Sequence, residues 1–243
     1  MTFPEAVCLF ERLHHQRIAT VLQALDAEQL LAHACYFGGG TALALSLGEY
    51  RESVDIDFLV SNIEGYRALR QRLSGPKGIV SIVRAGMRLN PGREVRADQY
   101  GIRTMLLVDG VGIKFEIVLE GRIELEIPHD SSGTAQTICG VTTLTALDRV
   151  ATKLLAHSDR WRDDSVFSRD LIDLAMLQPP KKLLGSALVK ARTAYGSSID
   201  TDLEKSVQQL RDRPQRLDQC MAAMAITAVP KALLWKRIKA LVG

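Results

Sequence analysis

The 243-residue sequence contains few cysteines, and none of them is placed for a metal site or a disulfide framework. The four cysteines, Cys8, Cys35, Cys139 and Cys220, are far apart and form no C-x-x-C pair. This spacing excludes a zinc ribbon and a disulfide-rich secreted scaffold, and it favours reduced, mostly buried thiols in a cytoplasmic protein.

Long apolar runs are also missing. No stretch is apolar enough to predict a transmembrane helix, and the N-terminal residues include acids and histidines where a secretory signal needs an uninterrupted apolar core. Hydrophobic residues at 47% and charged residues at 24% are typical of a globular protein. The chain is long enough for one large domain or two small ones.

The net charge is only +3, but it is unevenly distributed. Residues 181–243 hold 12 Lys/Arg against 5 Asp/Glu. Such a basic region favours RNA or an acidic partner protein, although solvated helix faces explain it equally well.

The most informative stretch is Tyr-Phe-Gly-Gly-Gly-Thr-Ala-Leu at 36–43, followed by Arg-Glu-Ser-Val-Asp-Ile-Asp-Phe at 51–58. It predicts a short strand, a glycine turn, a helix capped by Thr41, and a second strand that carries Asp55 and Asp57. Glycines allow close backbone approach to a ligand, and the exposed N–H groups of a helix start favour phosphate.

The two aspartates are two positions apart on an apolar strand, so their side chains leave the same face. At that distance they repel by roughly 1 kcal/mol in water and about 4 kcal/mol at protein-like dielectric. A cation between them relieves this cost. A phosphate cradle followed by a carboxylate pair is what metal-dependent phosphoryl transfer requires.

Helical spacing of apolar residues predicts one long or two short helices over residues 5–35 and another helix from Ser61 to Leu73. His14 and His15 are adjacent and point in different directions on a helix, which favours surface side chains over a ligand pair. Residues 79–83 read as a strand. The arginine-rich residues 84–98 read as a loop, either solvated or touching a polyanionic substrate.

An Asp-Gly turn at 109–110 joins two apolar runs and predicts a hairpin. On its second strand Lys114 and Glu116 share one face. A glutamate in an apolar strand is costly unless it is paired or binds a cation, so Glu116 either coordinates metal or pairs with Lys114 or Arg103. Alternation over residues 122–127 predicts one more strand.

The second half of the chain predicts helices. Apolar spacing over 144–157 gives an amphipathic helix, capped by Thr142 or Thr143, that carries Lys153. A further helix near 168–174 places Asp170 and Asp173 on one face. Beyond Pro179-Pro180, helices are expected near 181–195, 200–211, 215–227 and 230–242.

These motifs resemble the AbiEii/AbiGii type of nucleotidyltransferase toxin, within the polymerase-beta-like nucleotidyltransferase superfamily. The resemblance rests on Gly-Gly-Thr-Ala-Leu, on Arg-x-Ser-x-Asp-Ile-Asp-Phe, and on a helical lysine followed by a basic-Asp-x-x-Asp helix. It covers roughly residues 35–178. One departure is Gly38, which stands where the family often has a lysine, and this weakens a second phosphate contact from the turn.

The resemblance implies an α/β (α+β) fold with two lobes. A nucleotidyltransferase lobe at 1–134 has a mixed β-sheet flanked by helices, and a helical lobe at 135–243 contributes Lys153 and Asp170 to the cleft. The implied metal ligands, for one or two Mg²⁺ ions, are Asp55, Asp57 and Glu116. The implied NTP contacts are Gly39, Gly40, Thr41, Arg51, Ser53 and Lys153, and the implied catalytic residues are Asp55, Asp57, Lys153 and Asp170.

The implied activity is Mg²⁺-dependent transfer of an NMP from an NTP to an acceptor, with tRNA or another RNA as the acceptor. The protein would act in the cytoplasm, away from membranes, as the toxin of a toxin–antitoxin or phage-defence pair with a cognate antitoxin. Two alternatives remain. The chain could nucleotidylate (AMPylate) a protein, or it could be a catalytically inactive regulatory subunit.

Overall fold

The computed structural model describes residues 10–128 and 135–242, and the chain divides into two compact units. Unit 1 comprises the residues up to Glu49 together with Ser53–Leu144, and unit 2 comprises Tyr50–Glu52 and Thr145–Gly243. Cys8, the start of the first predicted helix and the predicted lobe boundary at 134 lie outside the described residues. That boundary therefore stays a prediction.

Unit 1 is built on a mixed β-sheet. The strands are β1 Tyr36–Gly38, β2 Ile56–Val60, β3 Asn90–Pro91, β4 Arg96–Ala97, β5 Gly101–Val108, β6 Val111–Leu119, β7 Thr137–Ile138 and β8 Val141–Thr142. The strand order in the sheet is β1-β2-β6-β5-β3, with β4 also paired to β5. Strands β2 and β6 run parallel and the other pairs are antiparallel. The two short strands β7 and β8 form a separate antiparallel pair.

Helices flank this sheet, as the sequence predicts: α1 Leu13–Ala24, α2 Ala27–Ala32, α3 Gly39–Ser46 and α4 Ile63–Leu73. The first region forms two short helices, because Asp26 accepts a hydrogen bond from the Gln29 N–H and starts a new helix. Asn62 caps α4 in the same way. Alternating side chains of β2, β5 and β6 enter one apolar core with α1 and α4, which buries period-2 positions such as Phe58 and Phe115.

Three local predictions in unit 1 are wrong. Residues 79–83 are not a strand, since Gly78–Ile82 forms a 3₁₀ helix that buries Ile79 and Ile82, and a short apolar run fits either structure. Residues 122–127 bury Ile123 and Leu125 but form no strand within the described chain, and the Leu125 N–H donates to Ser61 Oγ instead. Residues 84–98 are only partly loop, because they contain β3 and β4.

Unit 2 is helical, as predicted. Its helices are α5 Ala146–Arg160, α6 Arg169–Leu177, α7 Lys181–Tyr195, α8 Ser198–Asp212, α9 Arg216–Ala223 and α10 Lys231–Lys239. The cap of α5 is Thr145, whose hydroxyl accepts from the Asp148 N–H, so the caps predicted at Thr142 and Thr143 are wrong. No helix in the described part of the chain is both long and apolar enough to cross a bilayer.

Candidate active site

The parallel pairing of β2 and β6 brings two predicted site carboxylates side by side. Asp57 lies directly opposite Glu116 in the register, and Asp55 immediately precedes β2. Paired residues share a face of the sheet, and the neighbouring Phe115 and Ile117 point into the core on the other face. The structure thus confirms that Glu116 neighbours the Asp-x-Asp strand. Its role as a metal ligand stays a prediction.

The glycine turn between β1 and α3 lies against the same carboxylate. Gly39 has a positive φ of 67°, and a Cβ atom at this position would lie 2.5 Å from Asp57 Oδ2. Any side chain here would therefore collide with the carboxylate and strain the backbone. The sequence predicted that the glycine turn lets the backbone approach a ligand closely. In the structure the backbone of Gly39 closely approaches the Asp57 carboxylate.

Thr41 does not cap α3. The N-cap position is Gly38, and Thr41 lies inside the first turn with 1% of its surface exposed. Its hydroxyl donates to the Asp55 carbonyl oxygen at 2.5 Å and lies 2.8 Å from Ser53 Oγ. A long-range partner therefore replaces the predicted local cap. The predicted phosphate contacts of Thr41 and Ser53 stay predictions.

His15 completes this network, although the sequence interpretation places it at the surface. Its side chain is fully buried, so that prediction is wrong. Nδ1 lies 2.7 Å from Glu49 Oε1, and Nε2 lies 3.1 Å from the backbone nitrogen of Ser53. Because a backbone N–H can only donate, Nε2 of His15 accepts this hydrogen bond. Nδ1 therefore carries the ring hydrogen and donates to the Glu49 carboxylate.

A signal for this burial is present in the sequence. His15 stands three and seven positions before Ile18 and Leu22, on the apolar stripe of α1. Its partners, 34 and 38 residues away, leave no local trace. A chain of contacts runs from Glu49 through His15, Ser53 and Thr41 to the backbone of Asp55, and it fixes the segment that carries the aspartates.

We expect His15→Ala to lower the nucleotidyl transfer implied by the resemblance by at least about ten-fold and to destabilise the protein by about 1–3 kcal/mol, because the buried Ser53 N–H loses its acceptor. His15→Gln, whose amide oxygen can accept from Ser53, should recover part of both losses. Initial rates and thermal unfolding of the variants measure this. Equal behaviour of His15→Ala and the control His33→Ala would contradict the positioning role.

The negative charge of Glu116 is balanced by two cations of unit 1. Its Oε1 accepts from Arg103 Nε at 2.6 Å, and its Oε2 is paired with the Lys114 ammonium. Although partial burial lowers the pKa of Lys114, its hydrogen bond to Glu116 and the charges of Glu116, Asp55 and Asp57 raise it overall. Lys114 therefore supplies a cation to the carboxylates, and the pairing alternative is confirmed.

The described residues contain no set of three or more His, Cys, Asp or Glu side chains grouped closely enough to hold a metal ion. The structure brings Asp57 and Glu116 together but does not assemble the predicted trio as a closed ligand set. Mg²⁺ commonly takes only one or two protein carboxylates and completes its shell with substrate phosphates and water. Asp55 and Asp57 suit that donor set.

This arrangement predicts unequal effects of two amide substitutions. Glu116→Gln keeps a hydrogen-bonding side chain opposite Asp57, and we expect about a ten-fold loss of transfer, against about a thousand-fold loss for Asp57→Asn. The Mg²⁺ concentration that gives half-maximal rate should rise less for Glu116→Gln than for a conservative Asp55→Asn change. Loss by Glu116→Gln equal to that of Asp57→Asn would show that Glu116 is an essential ligand.

Unit 2 gathers a second set of predicted residues into a buried ionic cluster. Lys153 Nζ lies 2.9 Å from Asp170 Oδ1 and 2.8 Å from Asp173 Oδ2. Asp170 also accepts from Arg160 Nε at 2.6 Å, and Asp173 accepts from Arg51 Nε at 2.7 Å and Nη2 at 3.0 Å. The prediction that Asp170 and Asp173 share a helical face is confirmed.

One member of this cluster differs from expectation. Asp173 pairs with Lys153, but its main partner is Arg51, which the resemblance assigned to an NTP contact. Arg51 is 1% exposed, and its donors are taken by Asp173 and by the Glu52 carbonyl oxygen. The sequence separation of 122 residues explains why no local pattern predicts this pair.

Burial makes the cluster electrostatically strong. Burial alone would raise the pKa of Asp170, but Lys153 and Arg160 hold it far below the ordinary range. Burial alone would lower the pKa of Lys153, but Asp170 and Asp173 raise it overall. Counting Arg51, the cluster combines three cations with two anions, and this excess positive charge favours an anionic ligand.

Comparisons with known proteins find a matching family and solved structures of similar fold. Residues 20–240 match the family model described as "Nucleotidyl transferase AbiEii toxin, Type IV TA system". Among solved structures, JHP933 from Helicobacter pylori is similar with a TM-score of 0.55 and 15% identity, covering 96% of this chain and 94% of that one. A second H. pylori crystal structure, described as a candidate nucleotidyltransferase, is similar with a TM-score of 0.50 and 17% identity, covering 94% and 93%.

At these identities the solved structures establish similarity of fold alone. No curated protein sequence matches the chain at a significant level. The family model covers nearly the whole chain, including the glycine turn, the Asp-x-Asp strand and the helices that carry Lys153 and Asp170. The chain therefore belongs to the AbiEii family of nucleotidyltransferase toxins.

Proposed function

We propose that this nucleotidyltransferase transfers an NMP from an NTP to tRNA in a Mg²⁺-dependent reaction. The observation that carries the proposal is the position of Asp57, which lies opposite Glu116 on the paired strands and against the glycine turn at Gly39. Carboxylates beside a phosphate-binding turn suit the two charged parts of such a reaction, a cation and a triphosphate.

Asp55 and Asp57 would hold the ion through carboxylate oxygens, the donors that Mg²⁺ prefers. When bound, Mg²⁺ would offset phosphate charge and lower the pKa of the acceptor hydroxyl. The Glu49–His15–Ser53–Thr41 chain keeps Asp55 in place, and Gly39 and Gly40 present backbone at the turn.

The transfer forms a bond between the acceptor oxygen and the α-phosphorus and breaks the bond from that phosphorus to pyrophosphate. The electron pair leaves with pyrophosphate, and the acceptor proton passes to solvent. In unit 2, Lys153 is proposed to bind triphosphate and Asp170 to act as a catalytic carboxylate. Lys153 contacts two aspartates, so its ammonium group has a third N–H donor for a phosphate oxygen.

The family supports a biological role as the toxin of a toxin–antitoxin pair. We propose that a cognate antitoxin protein restrains it and that it works in the cytoplasm, where NTPs, Mg²⁺ and tRNA are available. We propose that the toxin is freed from its antitoxin during phage defence.

The direct test is incubation of purified protein with total tRNA, Mg²⁺ and each α-labelled NTP in turn, beside Asp57→Asn protein. Label on tRNA from one NTP, absent with the variant, would support the proposal and name the nucleotide. Label that appears on polypeptide in a lysate, with none on RNA, would replace tRNA by a protein acceptor. No label on either would overturn the enzymatic proposal.

A further inference from the structure

A row of charged side chains continues from the carboxylates across the sheet of unit 1. Asp57 lies opposite Glu116, Glu116 opposite Arg103, and Arg103 opposite Arg96. Directly paired residues share a face, so all four side chains belong to the face opposite the apolar core. With strands about 4.8 Å apart, the row reaches about 14 Å from Asp57 to Arg96 on β4.

Beyond this row lies a cleft with basic residues on both walls. One wall runs from the end of α4 into the 3₁₀ helix and includes Lys77, and the other is residues 91–95 with Arg93. The cleft encloses about 570 Å³, and Glu94 is the one carboxylate in its lining.

Three basic side chains at this cleft and on β4 are free to bind an anion. Lys77, Arg93 and Arg96 are exposed, and none forms an ion pair with any described residue. Residues 63–96 hold eight Lys/Arg against two Asp/Glu, so no local acid offsets most of this charge. We call Lys77, Arg93 and Arg96 the sheet-edge strip.

The C-terminal helices differ in this respect, although they hold more basic residues. Five of their 12 Lys/Arg side chains form ion pairs inside unit 2, which neutralises part of their charge: Lys190, Arg192, Arg213, Arg216 and Lys231. Surface charge that is already paired contributes little to binding a polyanion, because no counterion is released on contact.

We propose that the sheet-edge strip binds the phosphodiester backbone of the nucleic-acid acceptor and leads its end along the charged row toward Asp57. This inference rests on the proposed function for its acceptor. Guanidinium groups bind phosphate in a fixed two-point geometry, and two of the three residues are arginines. Tyr100, 65% exposed and immediately before β5, offers a ring on which an unpaired base can stack.

The test compares two triple substitutions that remove equal charge. Lys77→Gln/Arg93→Gln/Arg96→Gln clears the sheet-edge strip, and Lys181→Gln/Lys182→Gln/Lys205→Gln clears three exposed lysines of unit 2. Binding of a short 5′-fluorescein-labelled single-stranded RNA is followed by anisotropy over a series of KCl concentrations, without NTP or Mg²⁺. Total tRNA serves as competitor.

We expect the strip variant to bind the RNA at least about ten-fold more weakly. The slope of log binding constant against log KCl concentration should be smaller in magnitude by about two, because each of the three lost phosphate contacts removes about 0.7 from it. The unit 2 variant should stay within about two-fold of the unsubstituted protein. Equal losses, a larger loss from unit 2, or no RNA binding by the unsubstituted protein would overturn the inference. If circular dichroism shows the strip triple to be unfolded, Arg96→Gln against Lys205→Gln repeats the comparison.

The two proposals fail separately, because this assay contains neither nucleotide nor metal. Strip-dependent RNA binding without any label transfer would leave the surface standing and remove the proposed reaction. Label transfer to tRNA by a strip variant that binds RNA normally would do the reverse.

Discussion

Asp57→Asn protein is expected to lose nucleotidyl transfer by at least about a thousand-fold while its fold stays intact, a loss that corresponds to about 4 kcal/mol of transition-state stabilisation. The substitution removes one negative charge from the pair that would hold the cation and keeps the shape of the side chain. It also leaves the contact with Gly39 sterically unchanged, since an amide has nearly the size of a carboxylate. Folding stability should change by less than about 1 kcal/mol, because Asp57 is partly exposed.

The matched control is Asp109→Asn in the β5–β6 turn, which makes the same chemical change on an exposed residue away from the carboxylates. Asparagine also tolerates the left-handed backbone found there. Initial rates with labelled NTP and thermal unfolding of both variants provide the comparison. A rate for Asp57→Asn within about ten-fold of the Asp109→Asn rate would refute the proposed metal site.

The fold was predictable where short-range patterns decide it. The Asp-Gly turn and the flanking alternation define the β5–β6 hairpin, and the same alternation separates Glu116 from the core residues Phe115 and Ile117. Helical periodicity likewise defines the helices of unit 2. Patterns within about ten residues suffice for these elements because their hydrogen bonds and faces are local.

Long-range partners limited the prediction of the site. Thr41 fits a helix cap, yet the carbonyl oxygen of Asp55 binds its hydroxyl instead. His15 and Arg51 take buried partners at Ser53 and Asp173, and no spacing rule connects residues so far apart. The family resemblance predicts a set of site residues but could not reveal these contacts, which decide how the groups are held.

Asp173→Ala should cause the largest loss of stability, about 3–5 kcal/mol, because it strands cations in the interior of unit 2. Asp173 is 0% exposed and accepts from Arg51, from Lys153 and, at 2.5 Å, from the Tyr50 hydroxyl. The control is Asp200→Ala, which also breaks a two-point arginine pair, with Arg192, but near the surface. That change should cost less than about 1 kcal/mol.

The pH dependence of unfolding tests the same cluster. Burial alone would raise the pKa of Asp173, but Arg51 and Lys153 hold it below its ordinary value. A carboxylate with a depressed pKa stabilises the folded state above its unfolded pKa, near 4, and that stability is lost progressively as the pH falls below about 5. The free energy of unfolding should therefore drop with acidification in the unsubstituted protein and drop less in Asp173→Ala.

Tryptophan fluorescence reports this change selectively, since the chain's two tryptophans, Trp161 and Trp235, both belong to unit 2. Urea unfolding followed by this signal at neutral pH and near pH 3 gives the four free energies required. A parallel acid loss in both proteins would mean that Asp173 does not govern acid stability, since Asp170, whose pKa is also depressed, remains in the variant.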